Sequence, residues 1–394
     1  MSNEKRLAIC HLPLRMMSID AERQEKAKEY ARLRHRLLAL DLFISAAALV
    51  IVLASGLSAR LRDGVTSLAP NFYVGVALYF VIGVVGYGIL FMPLTYYRGF
   101  VLPHRYGLST QNLRGWILDL VKGGVLALVL GGALVEVIYF LLLNVPPWWW
   151  LIASVVMLVF TVLLANLAPI LIFPLFFKFK PLEDQELVKR LLRLAERAHT
   201  RVNGVYTMML SDKTTAANAA FMGLGNTKRI VLGDTLYQDY TADEIETILA
   251  HELGHQVHND IVWGIVAQTL LTLVGFYLAN LVLVAGAAIL GFTGIADLAA
   301  MPLLALALGA FGLVTMPLGN WYSRQREYAA DRYALETTRN PQAFIRAFEK
   351  LANQNLAELE PEPWVEWLLY DHPPIGKRLA LGRAYAARLA QPSA

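Results

Sequence analysis

Six apolar stretches limit what this chain can fold into. They cover approximately residues 37–58, 72–95, 120–143, 148–177, 260–290 and 298–320. Each can form a helix that crosses a hydrocarbon core, which takes roughly 20 residues. Inside a bilayer every backbone N–H and C=O needs an internal partner, so such stretches are helical. Of 394 residues, 56% are hydrophobic and 17% charged, where a soluble domain is about a quarter charged. These features predict a mainly α, multi-pass membrane protein with six transmembrane helices. The first stretch follows a long charged run and exceeds a signal-peptide core, so cleavage of a leader is not expected. The single cysteine, Cys10, excludes an intrachain disulfide and a cysteine metal site. A net charge of +4 is too small to argue for a nucleic-acid partner.

Lysine and arginine orient the spans. The loops after the first, third and fifth stretches contain only Arg60 and Arg62, whereas the other loops and both ends hold nearly all remaining basic residues. Both termini are therefore expected on the cytosolic side. Trp148, Trp149 and Trp150, at the start of the fourth stretch, read as an interfacial belt.

The chain divides into residues 1–36, a cytosolic juxtamembrane helix; 37–177, transmembrane helices one to four; 178–259, a soluble insert; 260–320, transmembrane helices five and six; and 321–394, a helical cytosolic region. Pro169 and Pro174 are expected to kink or end the fourth span. In the insert, EDQELVKRLLRLAERAH has helical apolar spacing, while GVYTMML and KRIVL read as strands of a β-hairpin or small sheet.

The insert ends on His251-Glu-Leu-Gly-His255. Histidines four apart lie on one helix face about one turn from each other, so both imidazoles reach one metal ion. Glu252 then lies near the open side of that ion, where it can take a proton from water, as in zinc peptidases. Thr241-Ala-Asp-Glu244 reads as a capping box, which places the motif in mid-helix.

Two histidines need a third protein ligand. The position six residues after His255 is Ile261, which rules out the metzincin arrangement. His258 shares the helix face but lies about two turns from His251, too far for a straight helix. Glu327, in SRQREYAAD, leaves the sixth span on the same side as the motif. Glu327 and Asp331 are four apart and share a face. Glu327 as ligand with Asp331 orienting a histidine is one reading; a solvated, mutually paired charged helix end is the other, and spacing alone leaves both open. Within the spans, Glu136 and Asp41 are acids, which usually face protein or water. With two spans of about 30 residues, they predict a wet cavity among the helices, although Asp41 also fits snorkelling to the interface and Glu136 local pairing.

HELGH, EYAAD, NAAFMGLGNTKRIVLGDTL, DHPPIGKRL and HRYGLSTQNLRGWILD occur together over roughly residues 20 to 385. In this the chain resembles the integral-membrane zinc endopeptidases of the type I CAAX prenyl protease family, the sterile-24 type. The resemblance implies a zincin-like catalytic region on the cytosolic side of a helical chamber, and one zinc ion per chain held by His251, His255 and Glu327. Glu252 would be the general base and Asp331 would orient a histidine. Asn218 would hold substrate backbone, and His372 and Arg378 would stabilise the oxyanion. Eukaryotic members have a further span before the region matching residues 20–36, so six spans are expected here rather than seven.

The expected reaction is hydrolysis of peptide bonds in a peptide or protein substrate by an enzyme acting as a monomer, and the resemblance implies removal of C-terminal residues next to a prenylated cysteine. Arg229, Ile230, Val231 and Leu232 are expected to offer an open strand edge to an extended peptide. The membrane would be the plasma or inner membrane of a prokaryote, or the endoplasmic reticulum of a eukaryote. Two alternatives are an HtpX-like membrane quality-control protease, which shares HELGH but has fewer spans, and a metal- or proton-linked transporter. Against the latter, HELGH lies outside the spans and no inverted repeat is visible.

Overall fold

A computed structural model describes residues 19–223 and 228–391; Cys10 and Leu224–Thr227 of the NAAFMGLGNT stretch lie outside them. Helix α1 (Ala21–Ala54) opens on Asp20, whose carboxylate accepts the N–H groups of Glu22 and Arg23. It contains no glycine or proline, so the charged juxtamembrane residues and the first apolar stretch form one continuous rod. At Gly56, with φ 72°, the chain turns into α2 (Leu57–Leu68), a short helix that hydropathy does not announce.

Helix α3 (Phe72–Tyr96) passes through a π-turn into α4 (Leu102–Arg105). Helix α5 (Leu113–Asn144) returns. Helix α6 (Trp149–Leu167) continues through a second π-turn, Ala168–Ile172, into α7 (Phe173–Phe176), where Pro169 and Pro174 interrupt the ladder.

The insert follows as β1 (Phe179–Pro181), α8 (Gln185–Arg197), β2 (Val205–Met208), β3 (Ala219–Met222), β4 (Arg229–Gly233), α9 (Asp234–Asp239) and α10 (Ala242–Val257). Then come α11 (Asp260–Leu290), α12 (Met301–Thr338), α13 (Pro341–Gln354), α14 (Pro363–Leu369) and α15 (Ile375–Ala390).

Among the described residues, six helical segments are long and apolar enough to cross a membrane, and the most apolar stretch of each is at most 28% buried. Phe43, Ile289 and Val314 are among many large apolar side chains facing outward. Apolar surface on this scale is unstable against water, at about 25 cal/mol per Å², and stable against lipid. Trp149 departs from the interfacial belt. It is fully buried, tilted against Phe276, and donates its indole N–H to Asn280 at 2.7 Å. The helical turn at the start of α6 points it inward, while Trp148 stays exposed.

The sheet has the order β1-β2-β4-β3. The two strands expected from sequence, β2 and β4, lie side by side but parallel, with Val205 opposite Ile230, so they form no hairpin. Strand β4 is flanked on both sides, since β3 pairs with it antiparallel. Arg229–Leu232 therefore cannot be the open edge: Ile230 and Leu232 are fully buried, and Arg229 donates to the backbone of Pro169, bracing the end of the fourth span. Among the described residues the outer edge near the HELGH helix belongs to β3.

Leu187, Leu191 and Leu194 of α8 pack into one core with Ile230, Leu232, Leu249 and Phe344. A second core joins the spans through Tyr79, Tyr139, Trp149 and Phe276.

Candidate metal centre

The cap expected at the start of α10 is present. Glu244 accepts the Thr241 N–H at 2.9 Å, and the Thr241 hydroxyl accepts the Glu244 N–H at 3.4 Å. The HELGH segment is thus held as regular helix. Its glycine has a steric reason: a Cβ on Gly254 would lie 2.8 Å from Cα of Ala330. Only glycine lets α10 and α12 approach this closely, and that approach delivers Glu327, three residues before Ala330.

Three donor groups meet between the helices. Nε2 of His251 and Nε2 of His255 are 3.3 Å apart. Glu327 places Oε2 at 3.3 Å from the first and Oε1 at 3.3 Å from the second. One ligand atom from each residue lies within 4.8 Å of the others. Tetrahedral ligands about 2.0–2.1 Å from one ion are separated by about 3.3–3.4 Å, so the spacing fits a single metal ion. The outer nitrogens agree. Nδ1 of His251 is 2.8 Å from Asp331, and Nδ1 of His255 is 2.8 Å from Asp260. A proton on each Nδ1 leaves both Nε2 lone pairs facing the cluster. With the proton on Nδ1, Glu327 Oε2 is buried without a hydrogen bond among the described residues, as suits a metal-binding oxygen.

Asp331 lies where it can orient His251, and Arg378 in turn grips Asp331 through Nε at 2.9 Å and Nη2 at 2.5 Å. Nη2 also lies 3.1 Å from His251 Nδ1, but a nitrogen that donates to Asp331 cannot accept, so the carboxylate is the partner. The Arg378 guanidinium stacks 3.9 Å from the Phe348 ring centre, and its Nη1 is 3.8 Å from Glu327. His372 sits on the other side, with Nε2 3.3 Å from Glu327 Oε1 and Nδ1 2.9 Å from Asp371. Its loop is anchored by buried Arg324, which donates to the carbonyl oxygens of Glu366, at 3.0 Å, and Tyr370.

Glu252 and Asn218 line the same cavity, of about 980 Å³, as His251, His372 and Arg378. Burial pushes the Glu252 carboxyl up, against the pull of His251 and His255. For His251, burial and the Arg378 charge oppose protonation, but its bonds to Asp331 and Glu327 outweigh them and hold it up at about 9 without metal. The bond to Asp371 raises His372.

Three residues escaped the sequence pattern. Asp260 holds His255 because Asn259, at φ 55°, ends α10 and turns the chain back. Arg326 fixes Asp260 with a bond of 2.5 Å. The carboxylate five residues after the second histidine was the available signal. Arg324 carried none, since its partners are backbone carbonyls. His258 is outside the cluster, past the end of α10, with its ring edge against Tyr333. Glu136 and Asp41 are half-buried in their helices.

Apolar spans joined to a buried His-His-Glu cluster with an adjacent carboxylate define the class: a membrane metalloprotease. Residues 11–178 match the family described as CAAX prenyl protease N-terminal, five membrane helices, and residues 181–384 match Peptidase family M48. The chain belongs to peptidase family M48, in its CAAX prenyl protease group. It is 30% identical to "Uncharacterized metalloprotease YhfN" of Bacillus subtilis, over 90% of this chain and 84% of that one. It is 30% identical to "CAAX prenyl protease 1" of Saccharomyces cerevisiae, over 73% and 67%. The crystal structure of S. mikatae Ste24p superimposes with a TM-score of 0.83 at 26% identity, covering 94% of this chain and 91% of that chain. The protein is thus a metalloendopeptidase built into a multi-pass membrane fold.

Proposed function

We propose that the protein is a zinc endopeptidase whose active site faces the cytosol and which cuts peptide chains near a prenylated cysteine. The convergence of His251, His255 and Glu327 beside Glu252 carries the reading. Two imidazoles and one carboxylate are a zinc donor set that leaves one position open. Zinc, when bound, supplies Lewis-acid polarisation and makes water acidic enough to ionise near neutral pH.

The chain's own groups do the rest. Glu252 takes a proton from the attacking water and passes it to the leaving amine, a role suited by its raised pKa. His372 Nε2 and Arg378 Nη1 point toward the cluster and stabilise the oxyanion. Asp331 and Asp260 keep the two histidines in the tautomer with Nε2 free. Asn218, at the mouth of β3, holds substrate backbone, and β3 takes the place of Arg229–Leu232 as the edge on which an extended peptide lies. The basic-loop pattern supports cytosolic sidedness. The names of the yeast and plant relatives, CAAX prenyl protease 1 and its homologues, support prenylated substrates. The enzyme is expected to act as a monomer, since the cluster is complete within one chain.

The test is cleavage of one peptide, prenylated and unprenylated, by purified enzyme with and without a zinc chelator. Chelation should stop cleavage, zinc should restore it, and the prenylated peptide should be preferred. Glu252→Gln should keep its zinc by elemental analysis and lose at least about a thousandfold in kcat. Full activity in the chelated enzyme would sink the zinc assignment.

A further inference from the structure

The cavity at the metal centre continues past it to a cationic wall. Besides His251 and Glu252 it is lined by Tyr30, Arg34 and His35 of α1 and by Arg98 of the first π-turn. The start of β3 connects the two walls. Ala217 N–H donates to Asn355 Oδ1 at 2.9 Å, and Asn355 returns a bond to Ala217 O at 3.1 Å. The next residue, Leu356, packs with Ala27 and Tyr30 of α1. From the other side, the His35 ring sits edge-on to Tyr370 at 6.2 Å, two residues before His372. Tyr30, and with it Arg34, thus lies on the Asn218 side of β3, and Arg98 lines the same cavity.

Both are exposed. Among the described residues neither has a carboxylate within ion-pair distance, unlike Arg62, Arg190, Arg326 and Arg378, which are all paired. Arg34 rests over the Tyr30 ring at 5.6 Å. Glu358, an acid of the same cavity, already takes the Tyr370 hydroxyl at 3.4 Å.

A peptide added antiparallel to β3, the more stable arrangement, runs with its C-terminus toward Asn218. The residues after the scissile bond then head for the two free guanidinium groups, whose planar forks match a carboxylate. We propose that Arg34 and Arg98 bind the free C-terminal carboxylate of the substrate, so that the distance from the metal centre to this pair sets how many residues are released. This specificity role rests on the endopeptidase reading above.

The experiment compares four forms of one peptide on the zinc-loaded full chain: the free acid, its C-terminal amide, the amide with aspartate as last residue, and the acid extended by several residues. The free acid should exceed the amide in kcat/KM by at least about tenfold, mainly through KM. In the Arg34→Gln, Arg98→Gln double variant that preference should collapse toward one, with zinc content and Tm showing that the protein is folded. Lysine at both positions should restore part of it. Equal cleavage of acid and amide by the wild type, or a preference that survives in the double variant, would overturn the proposal and assign the pair to the membrane interface. An aspartyl amide or an extended acid cut at the same bond as well as the free acid would also overturn it. If the wild type cut none of the four, the endopeptidase reading itself would fail, and this proposal with it.

Discussion

Two buried carboxylates on either side of this protein are treated in opposite ways. Asp297 lies in the turn between α11 and α12. Its Oδ1 accepts the Ala299 N–H at 2.9 Å, and its Oδ2 accepts from Thr293 N, Thr293 Oγ1 and Arg62 at 2.9, 3.0 and 2.6 Å. Nearby, Ser58 donates to Ala299 O at 2.6 Å and shares a bond with Tyr79 at 2.7 Å. Nothing on Asp297 is left to offer. Glu327 lies on α12 itself, roughly 40 Å of helix further on. With His251 neutral, one of the Glu327 oxygens is buried with no hydrogen bond among the described residues. An unsatisfied buried acceptor costs stability unless a ligand completes it. The first acid is therefore a clasp between α2 and the far turn, and the second is, in our proposal, a metal ligand.

The same truncation at both acids separates these roles. Glu327→Ala should have the largest effect, with metal lost and activity below roughly a thousandth of wild type, while the metal-free protein loses only the carboxylate's part in holding the extra proton on His251. Asp297→Ala should behave inversely. It strands Arg62 and the Thr293 and Ala299 donors, and should cost about 3 kcal/mol of stability, while the folded fraction keeps its metal and its kcat. Elemental analysis, kinetics and thermal unfolding of both variants check this. A Glu327→Ala variant that retains metal, or an Asp297→Ala variant as stable as wild type, would break the contrast.

The contrast also shows what a sequence exposes. The spans were legible because bilayer thickness forces long apolar runs. His251, Glu252 and His255 were legible because one helix fixes their spacing. Glu327 was half legible: its side of the membrane followed from span count, but its contact with the histidines depends on Gly254 facing Ala330, a packing fact that no periodicity carries. The Asp297 clasp was not legible, because Arg62 is 235 residues away in sequence and reads as an ordinary loop charge. Strand β3 was missed because Ala219-Ala-Phe-Met222 lacks alternation and β-branched residues. Assigning the edge to β4 followed from that omission, since a strand seen without its partner looks open.

The smallest effect expected distinguishes the open acid from the satisfied one by pH. Without metal, His251 is held at about 9, above its ordinary 6.5, by its bonds to Asp331 and Glu327, which outweigh burial and Arg378. A group raised in the folded state stabilises fully below its unfolded pKa and loses that contribution as pH rises through the folded one. The chelated enzyme should therefore lose stability between pH 6.5 and 9. A metal on Nε2 excludes the second proton, so the loaded enzyme should lack this decline, and metal affinity should climb with pH over the same window. Melting temperatures of chelated and reloaded protein at pH 6.5, 7.5 and 9 measure it. In Asp331→Asn the decline should shrink, because the carboxylate that favours the imidazolium is gone. In Asp297→Ala it should persist on a lower baseline, since that acid lies at the far turn. A chelated enzyme whose stability is flat or rises over this window would show that the cluster does not hold the extra proton.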